Sequence, residues 1–447
     1  MPELLNLAEK IASSAKHGEQ VEAYVSWQRE TDVRVYDGAI ETLSSAESAG
    51  VGIRVVVGSR QGFAYVGDLD ESRAREALAE ARDNATFASP DEHLGLPTPD
   101  GHAVARLSLF DEALASVSAQ SKVELAMELE RQVRAGDPRI REVISTDYGD
   151  GQGEVAIASS CGISALSRQT SCYLAADAVA GEGDYTQTGV GYSVGRGFSD
   201  IDLAAAASDA IERATRLLGA KKPQSARLNV VFDRRVTATL LSVLARTLSG
   251  EDVAKGRSLF ADRLGEEVGN LSITLVDDPT NPLAFGASTH DAEGLATRPN
   301  VLIEKGRLIS YLYDTYSGRL ANTASTASAV RGGFKSTPGV GARALSLVPG
   351  DLDRSGIFSL VGNGLFVQEI SGVHSGVNGI SGDFSVGADG VMIRDGQLAE
   401  PVREITIAST IQRMLQHILA VGNDIEWLPS SAAGITLAIA DVAMSGE

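Results

Sequence analysis

Between Val21 and Val66, apolar residues recur at alternate positions and are interrupted by turn residues; the spacing then changes to that of a helix. Val21, Ala23, Val25 and Trp27 share one side of a half-buried strand, and Asp37-Gly38, between Val33/Val35 and Ile40, is a hairpin turn signal. VGIRVVVG (51–58) and GFAYV (62–66) continue the sheet, and DESRAREALAEARDNA (70–85) opens on Asp70 as an N-cap. Ahead of this block, Leu4, Leu7, Ala8, Ile11 and Ala15 mark one face of a helix. Strands in runs with helices inserted in blocks predict an α+β fold with mixed or antiparallel sheets, and argue against a doubly wound one.

Further along, a Pro-bearing loop from about 88 to 106 leads to a helix where Ser121 and Glu124 have capping-box spacing and Leu125, Leu129 and Val133 repeat. Short β-type runs are expected from Glu142 to Ala180. They are followed by a Gly-rich loop, 181–197, expected to be mobile or docked on a partner, and by a helix from about Asp202 to Leu218. The stretch Gly219 to Gln224, with Pro223, marks a boundary between an N-terminal domain, 1–222, and a C-terminal domain, 223–447. In the second half the pattern predicts a strand at 228–232, a helix at about 234–248 and hairpins across Lys305-Gly306 and Asp395-Gly396. A helix at 408–420, carrying Ile411, Met414, Leu415, Ile418 and Leu419, and a strand at 434–440 complete it.

With 447 residues, 43% of them hydrophobic, two lobes are expected. The net charge of −20, from 59 acidic and 39 basic residues, leaves little surface for phosphate neutralisation and argues against direct nucleic-acid binding. Glu3 and Glu9 make the N-terminus an amphipathic helix and not a signal peptide, and no apolar run approaches the ~20 residues of a membrane span. Cys161 and Cys172, the only two cysteines, point to buried thiols in a reducing compartment, so a cytoplasmic location is expected.

Metal-dependent hydrolysis needs about three ligands, at least two at fixed spacing on one element. Of the six histidines, His17, His93, His102, His290, His374 and His417, none has another four residues on, and there is no HExxH or HExxxH. No GxSxG elbow is present, and RGGFKSTPGVG (331–341) lacks the spacing of a phosphate loop and is expected to be a flexible loop. The segment SGVHSGVNGISGDF is different. His374 lies among glycines beside Glu369, Asn378 and Asp383, so these four are the candidate substrate-binding residues, with no catalytic or metal-binding residue assigned. Either the imidazole is presented to a ligand with carboxylates orienting it, or His374 and Asp383 tie the loop down through backbone hydrogen bonds.

Several long segments together resemble the TldD/PmbA family, once described as modulators of DNA gyrase and grouped with metallopeptidases. They include VRVYDGAIETLSSAESAGVGIRVVVGSRQGFAYVGDLDESRAREAL, GRSLFADRLGEEV, DAEGLATRPNVLIEKGRLISYLYDTYSGRL and GLFVQEISGVHSGVNGISGDFSVGADGVMIRDGQ, then EITIAS and AVGNDIE. In the TldD branch a helix carries HExxxH and a cysteine near the C-terminus completes a zinc site. The matching helix here reads LLSVLARTLSG, with Ser242 and Thr247 at the histidine positions and Val243 at the glutamate position, and WLPSSAAG after VGNDIE has no cysteine. The resemblance therefore implies the TldE/PmbA branch: a non-catalytic subunit that pairs with a TldD-type paralogue, which supplies the zinc, to form a protease acting on unfolded or short peptides. The glycines of 362–390 would line the peptide path or the subunit contact. Two alternatives stay open: a homodimeric peptide-binding protein without catalysis, and a self-sufficient hydrolase using His374 with Glu369 or Asp383.

Overall fold

The computed structural model describes residues 2–183 and 185–447. Helix α1 (Pro2–Ala12) leads into a six-stranded antiparallel sheet built from β1 (Glu19–Tyr36), β2 (Ala39–Val57), β3 (Arg60–Val66), β4 (Ile140–Ser159), β5 (Ser164–Glu182) and β6 (Tyr185–Gly195), in the order β3-β2-β1-β4-β5-β6. Helices α2 (Glu71–Phe87), α3 (Ala119–Gly136) and α4 (Leu203–Arg216) join α1 on one face of this sheet. The odd-numbered β1 residues Val21, Ala23 and Val25 pack there with Ala156 and Ala158 against α1 and α2, while Val33, Tyr148 and Leu174 pack against α3 and α4. The opposite face carries Glu22, Tyr24, Ser26, Gln28 and Glu30, and among the described residues no helix packs broadly on it.

The local signals hold where they are strongest. Asp37-Gly38, Lys305-Gly306 and Asp395-Gly396 all have positive φ at both residues, the geometry of a tight two-residue hairpin turn. Asp70 caps α2 by accepting from the backbone N–H groups of Ser72 and Arg73. Four expectations are corrected. The cap of α3 is Ser118, three residues before Ser121. The β-type runs at 142–180 are two strands of 20 and 19 residues. The Gly-rich stretch expected as a loop forms β6, while residue 184 lies outside the described residues. Its glycines are packing requirements: a Cβ at Gly189 would stand 2.1 Å from the Ala214 nitrogen, and one at Gly191 2.1 Å from the Ala206 oxygen, both in α4. The fourth is the helix at 408–420, which shrinks to Ile411–Gln416 between strands Gln397–Thr410 and Ile418–Val421.

A second six-stranded sheet includes β7 (Ala226–Phe232), which lies parallel to Gly364–Ser371 and antiparallel to Leu437–Ser445. Asp383–Arg394 and Gln397–Thr410 follow on one side. Because Gln397–Thr410 also pairs with Leu437–Ser445, the sheet closes on itself. Helix α5 (Arg234–Thr247) lies against the apolar interior formed by Phe232, Leu365, Phe384, Ile407 and Ile439. Smaller strands at Leu275–Asp277, Asn300–Glu304, Arg307–Leu308 and Leu345–Leu347 form a separate four-stranded sheet.

Cys161 lies in the turn before β5 and Cys172 eight residues into that strand, so roughly 25 Å of extended chain separates them; both are free thiols. Cys172 is buried, which pushes its thiol up to about 12. Among the described residues no helix is long and apolar enough to cross a membrane.

The packing of β6 on α4 makes a direct prediction. Gly191→Val forces α4 off the sheet and lowers stability in urea unfolding by roughly 1–3 kcal/mol. Gly151→Ala on the opposite face, where the nearest atom to a new Cβ is 3.7 Å away, changes it by less than about 0.5 kcal/mol.

Candidate functional site

On the face of the first sheet opposite α1–α4, Glu22 of β1 stands directly across from Arg54 of β2. Arg54 Nη2 donates to Glu22 Oε2 at 2.6 Å and to Glu293 Oε1 at 3.1 Å, and Arg331 Nη2 donates to Glu22 Oε1 at 2.5 Å. The Glu22, Glu293 and Arg331 side chains are each 1% exposed and Arg54 6%. Burial by itself would raise the Glu22 carboxyl, but the guanidinium groups of Arg54 and Arg331 outweigh it and hold the group below its ordinary value. Glu293 also accepts from the Thr315 N–H at 2.9 Å, which fixes its second oxygen. This cluster docks the segments around 293 and 331 onto the first sheet. Tyr24, Ile157, Ile163, Leu295, Ala327 and Phe334 pack as an apolar patch in the same contact. Phe334 fits because Gly50 and Gly52 of β2 have no side chain: a Cβ there would lie 2.4 Å from its ring and 2.3 Å from its carbonyl oxygen. The segment 331–341, expected as a flexible loop, is thus pinned at both Arg331 and Phe334.

Beside the cluster opens a cleft of about 580 Å³, floored by Ser26, Gln28, Gly153, Val155, Ser167 and Gln169 and walled by His290, Asp291, Arg331 and Arg343. His290 Nδ1 lies 3.0 Å from Thr289 Oγ1 and 3.4 Å from Ser167 Oγ, and burial lowers its pKa, so the imidazole is neutral at pH 7. Asp291 accepts from the N–H groups of Glu293, Leu295 and Ala329, yet burial and the neighbouring Glu293 charge raise it well above the carboxylate range. Behind the wall residue Arg343, Asp277 Oδ1 accepts from the N–H groups of Arg343 and Ala344 at 3.0 and 2.6 Å, while Oδ2 has no hydrogen-bond partner among the described residues. Burial pushes Asp277 up to about 6.

The four residues expected to meet substrate are dispersed. Glu369, at a bulge of strand Gly364–Ser371, lines a separate cavity of about 190 Å³ with Arg213 and Arg235; partial burial and nearby Asp389 raise its carboxyl, against the two arginines. His374 is exposed on the short helix Val373–Gly376. Asn378 Oδ1 accepts from the N–H groups of Ile380 and Ser381, and Asp383 Oδ2 accepts from Ser381 Oγ, so both tie down the loop. None of the four lines the larger cleft. His290 was visible in the sequence only as an unpaired histidine, and Arg331 only as the lead residue of a glycine-rich segment.

The α5 positions that resemblance would associate with zinc do not suit a metal. Ser242 Oγ donates to the Ala238 carbonyl at 2.9 Å, and Thr247 Oγ1 to the Leu244 carbonyl at 2.7 Å. Val243 lines a small apolar cavity with Leu240, Leu244, Phe384 and Met414. Among the described residues no group of three or more His, Cys, Asp or Glu side chains is placed to hold a metal ion.

Comparison with known proteins gives consistent matches along the chain. Three family models match in order: PmbA/TldA metallopeptidase domain 1 at residues 21–85, the central domain at 112–218 and the C-terminal domain at 225–446. The chain is 28% identical over 451 residues to Metalloprotease PmbA of Escherichia coli O157:H7, covering 98% of this chain and 94% of that one. Its fold is similar to that of a Thermotoga maritima protein provisionally described as a modulator of DNA gyrase, with TM-score 0.90, 23% identity and coverage of 98% and 99%. It is similar also to TldE from Thermococcus kodakarensis, with TM-score 0.87, 24% identity and complete (100%) coverage of both chains.

The raised Asp277 makes stability depend on pH. The folded state holds this proton more tightly than the unfolded chain, so the contribution is complete below about pH 4 and is lost as pH rises through about 6. Asp277→Asn keeps the Oδ1 acceptor and places its amide at the unpartnered Oδ2 position. The variant is expected to remove up to roughly 3 kcal/mol of the decline in stability between pH 4 and 8, measured by chemical unfolding across that range.

Proposed function

The chain belongs to the PmbA/TldD metallopeptidase family, and on that basis we propose that it is the non-catalytic subunit of a two-component peptidase whose zinc is carried by a TldD-type paralogue. The observation that carries this is the state of α5. Two hydroxyls there are spent on helix carbonyls, and the intervening Val243 faces an apolar cavity, so nothing in the turn can ligate zinc or serve as a general base. Both cysteines precede residue 173, which leaves the C-terminal half without a thiolate ligand.

In this proposal the subunit, with lobes 1–222 and 223–447, contributes surface to a heterodimer that acts in the cytoplasm on unfolded or short peptides. The glycine-bearing segment 362–390 stands at the subunit contact or peptide path. Of its candidates, His374 is exposed and Glu369 faces the cavity beside Arg213 and Arg235, whereas Asn378 and Asp383 keep the loop in shape.

Co-expression with the HExxxH-bearing paralogue from the same genome tests this. A stable complex should be recovered with about one zinc per pair and peptidase activity, while this chain purified alone should contain zinc far below one per chain and cleave nothing. Failure to form a complex, or stoichiometric zinc in the isolated chain, overturns the proposal.

A further inference from the structure

We propose that the cleft between the first sheet and the segments 288–292 and 331–343 holds the carboxyl end of a short extended peptide. This rests on the peptidase-subunit function and names the part of the substrate that this chain would grip.

The charge inventory favours an anion. In a chain of net charge −20, the charged side chains on the wall of this cleft are Arg331 and Arg343 against Asp291, whose surroundings favour its neutral form; Arg168, between the floor residues Ser167 and Gln169, alternates to the other face of the sheet. Part of the positive charge is already engaged. Arg331 Nη2 pairs with Glu22, and Arg343 Nη2 donates to the Ala329 carbonyl; the Arg331 guanidinium also lies 4.5 Å from the centre of the Tyr24 ring. Donor capacity remains. Nε and Nη1 of Arg331, whose side chain is 1% exposed, and Nε of Arg343 have no hydrogen-bond partner among the described residues. Leaving such nitrogens unpartnered is costly, and an acceptor entering the cleft would relieve it. Neutral His290 stands on the same wall.

The floor favours an extended chain over a compact anion. Strand register places Ser26, Val155 and Ser167 in one row, Gln28, Gly153 and Gln169 in the next, and Glu30, Gly151 and Ser171 in the third. Gly153 and Gly151 leave a trough along the middle strand: a Cβ would find no atom closer than 3.6 Å at the first and 3.7 Å at the second. The trough ends at Gly149, which is covered by the Tyr173 ring, 2.3 Å from where a Cβ would be. From Val155 to Gly151 is about 13 Å, the length of about four extended residues. Glu30 and Asp32 stand at the far rows, so negative charge gathers away from the arginines. A peptide carboxylate is therefore favoured at the arginine end. The volume, about 580 Å³, suits a short peptide.

The test uses fluorescein-labelled tetra-alanine with a free C-terminal carboxylate, and the same peptide as the C-terminal amide, titrated by anisotropy against the full chain alone. The acid is expected to bind about ten-fold or more tightly than the amide. Arg343→Gln, which leaves the buried Glu22 cluster intact, should remove most of that preference; Arg331→Gln should do the same where its melting temperature shows that it folds. Equal binding of acid and amide, or no binding of either, overturns the inference. So does displacement of the acid by inorganic phosphate as effectively as by unlabelled tetra-alanine, which would mean a simple anion site. Complex formation with the paralogue is scored on the same variants. Lost discrimination with an intact complex reports on this cleft, whereas absence of a complex with discrimination preserved reports on the subunit assignment alone.

Discussion

The contact between the N-terminal sheet and the C-terminal half depends on two carboxylates and two guanidinium groups held out of water together: Glu22, Glu293, Arg54 and Arg331. Each ion, buried alone, would cost several kcal/mol, and attraction in a poorly screened interior offsets this only where geometry and hydrogen bonding are good. Here Glu22 takes one arginine on each oxygen, and Glu293 is held by Arg54 and by the Thr315 N–H. Removing any one member would leave a buried charge without its counterpart. The cluster therefore specifies which C-terminal segments meet the sheet more strictly than the apolar patch around Phe334 does, since apolar contacts tolerate sliding and ion pairs do not.

What surrounds the cluster follows from that fixed contact. Fixing Arg331 fixes the adjacent glycines and Phe334. The cleft wall of His290, Asp291 and Arg343 is then set over a floor whose middle strand presents glycine at 151 and 153. The same face carries alternating polar residues because it is not a helix-packing surface; its partner is a set of loops from the other half and the space between. The helix-covered face behaves in the opposite way, with alanines and branched residues closely packed and glycines at 189 and 191 admitting a helix backbone.

Features decided by residues close in sequence were legible. Asp37-Gly38, Lys305-Gly306 and Asp395-Gly396 turn the chain because adjacent positive φ values are required there, and Asp70 caps α2 with its own side chain. The extent of α5 was also visible from its spacing. The glycine-rich stretch ahead of α4 was misread because glycine density has two physical meanings, free backbone or close approach, and only the distance to α4 separates them. Ile418 and Leu419 fit a helical face and also a strand, and pairing with Leu437–Ser445 decides for the strand. The cleft was illegible for another reason: residues 22, 54, 291, 293 and 331 are distributed along most of the chain, and no local spacing connects them.

The sequence alone therefore determined the α+β class, the tight turns, the lack of a metal-binding pattern on α5 and the resemblance to the TldD/PmbA family. All of these depend on short-range chemistry or on the order of segments along the chain. Only the tertiary structure decided that Gly189 and Gly191 are packing positions, that Asn378 and Asp383 serve their own loop, and that Arg331 is a buried cation beside a cleft. These depend on burial and on partners distant in sequence, where desolvation sets both the cost of an unpaired charge and the protonation of groups such as Asp277.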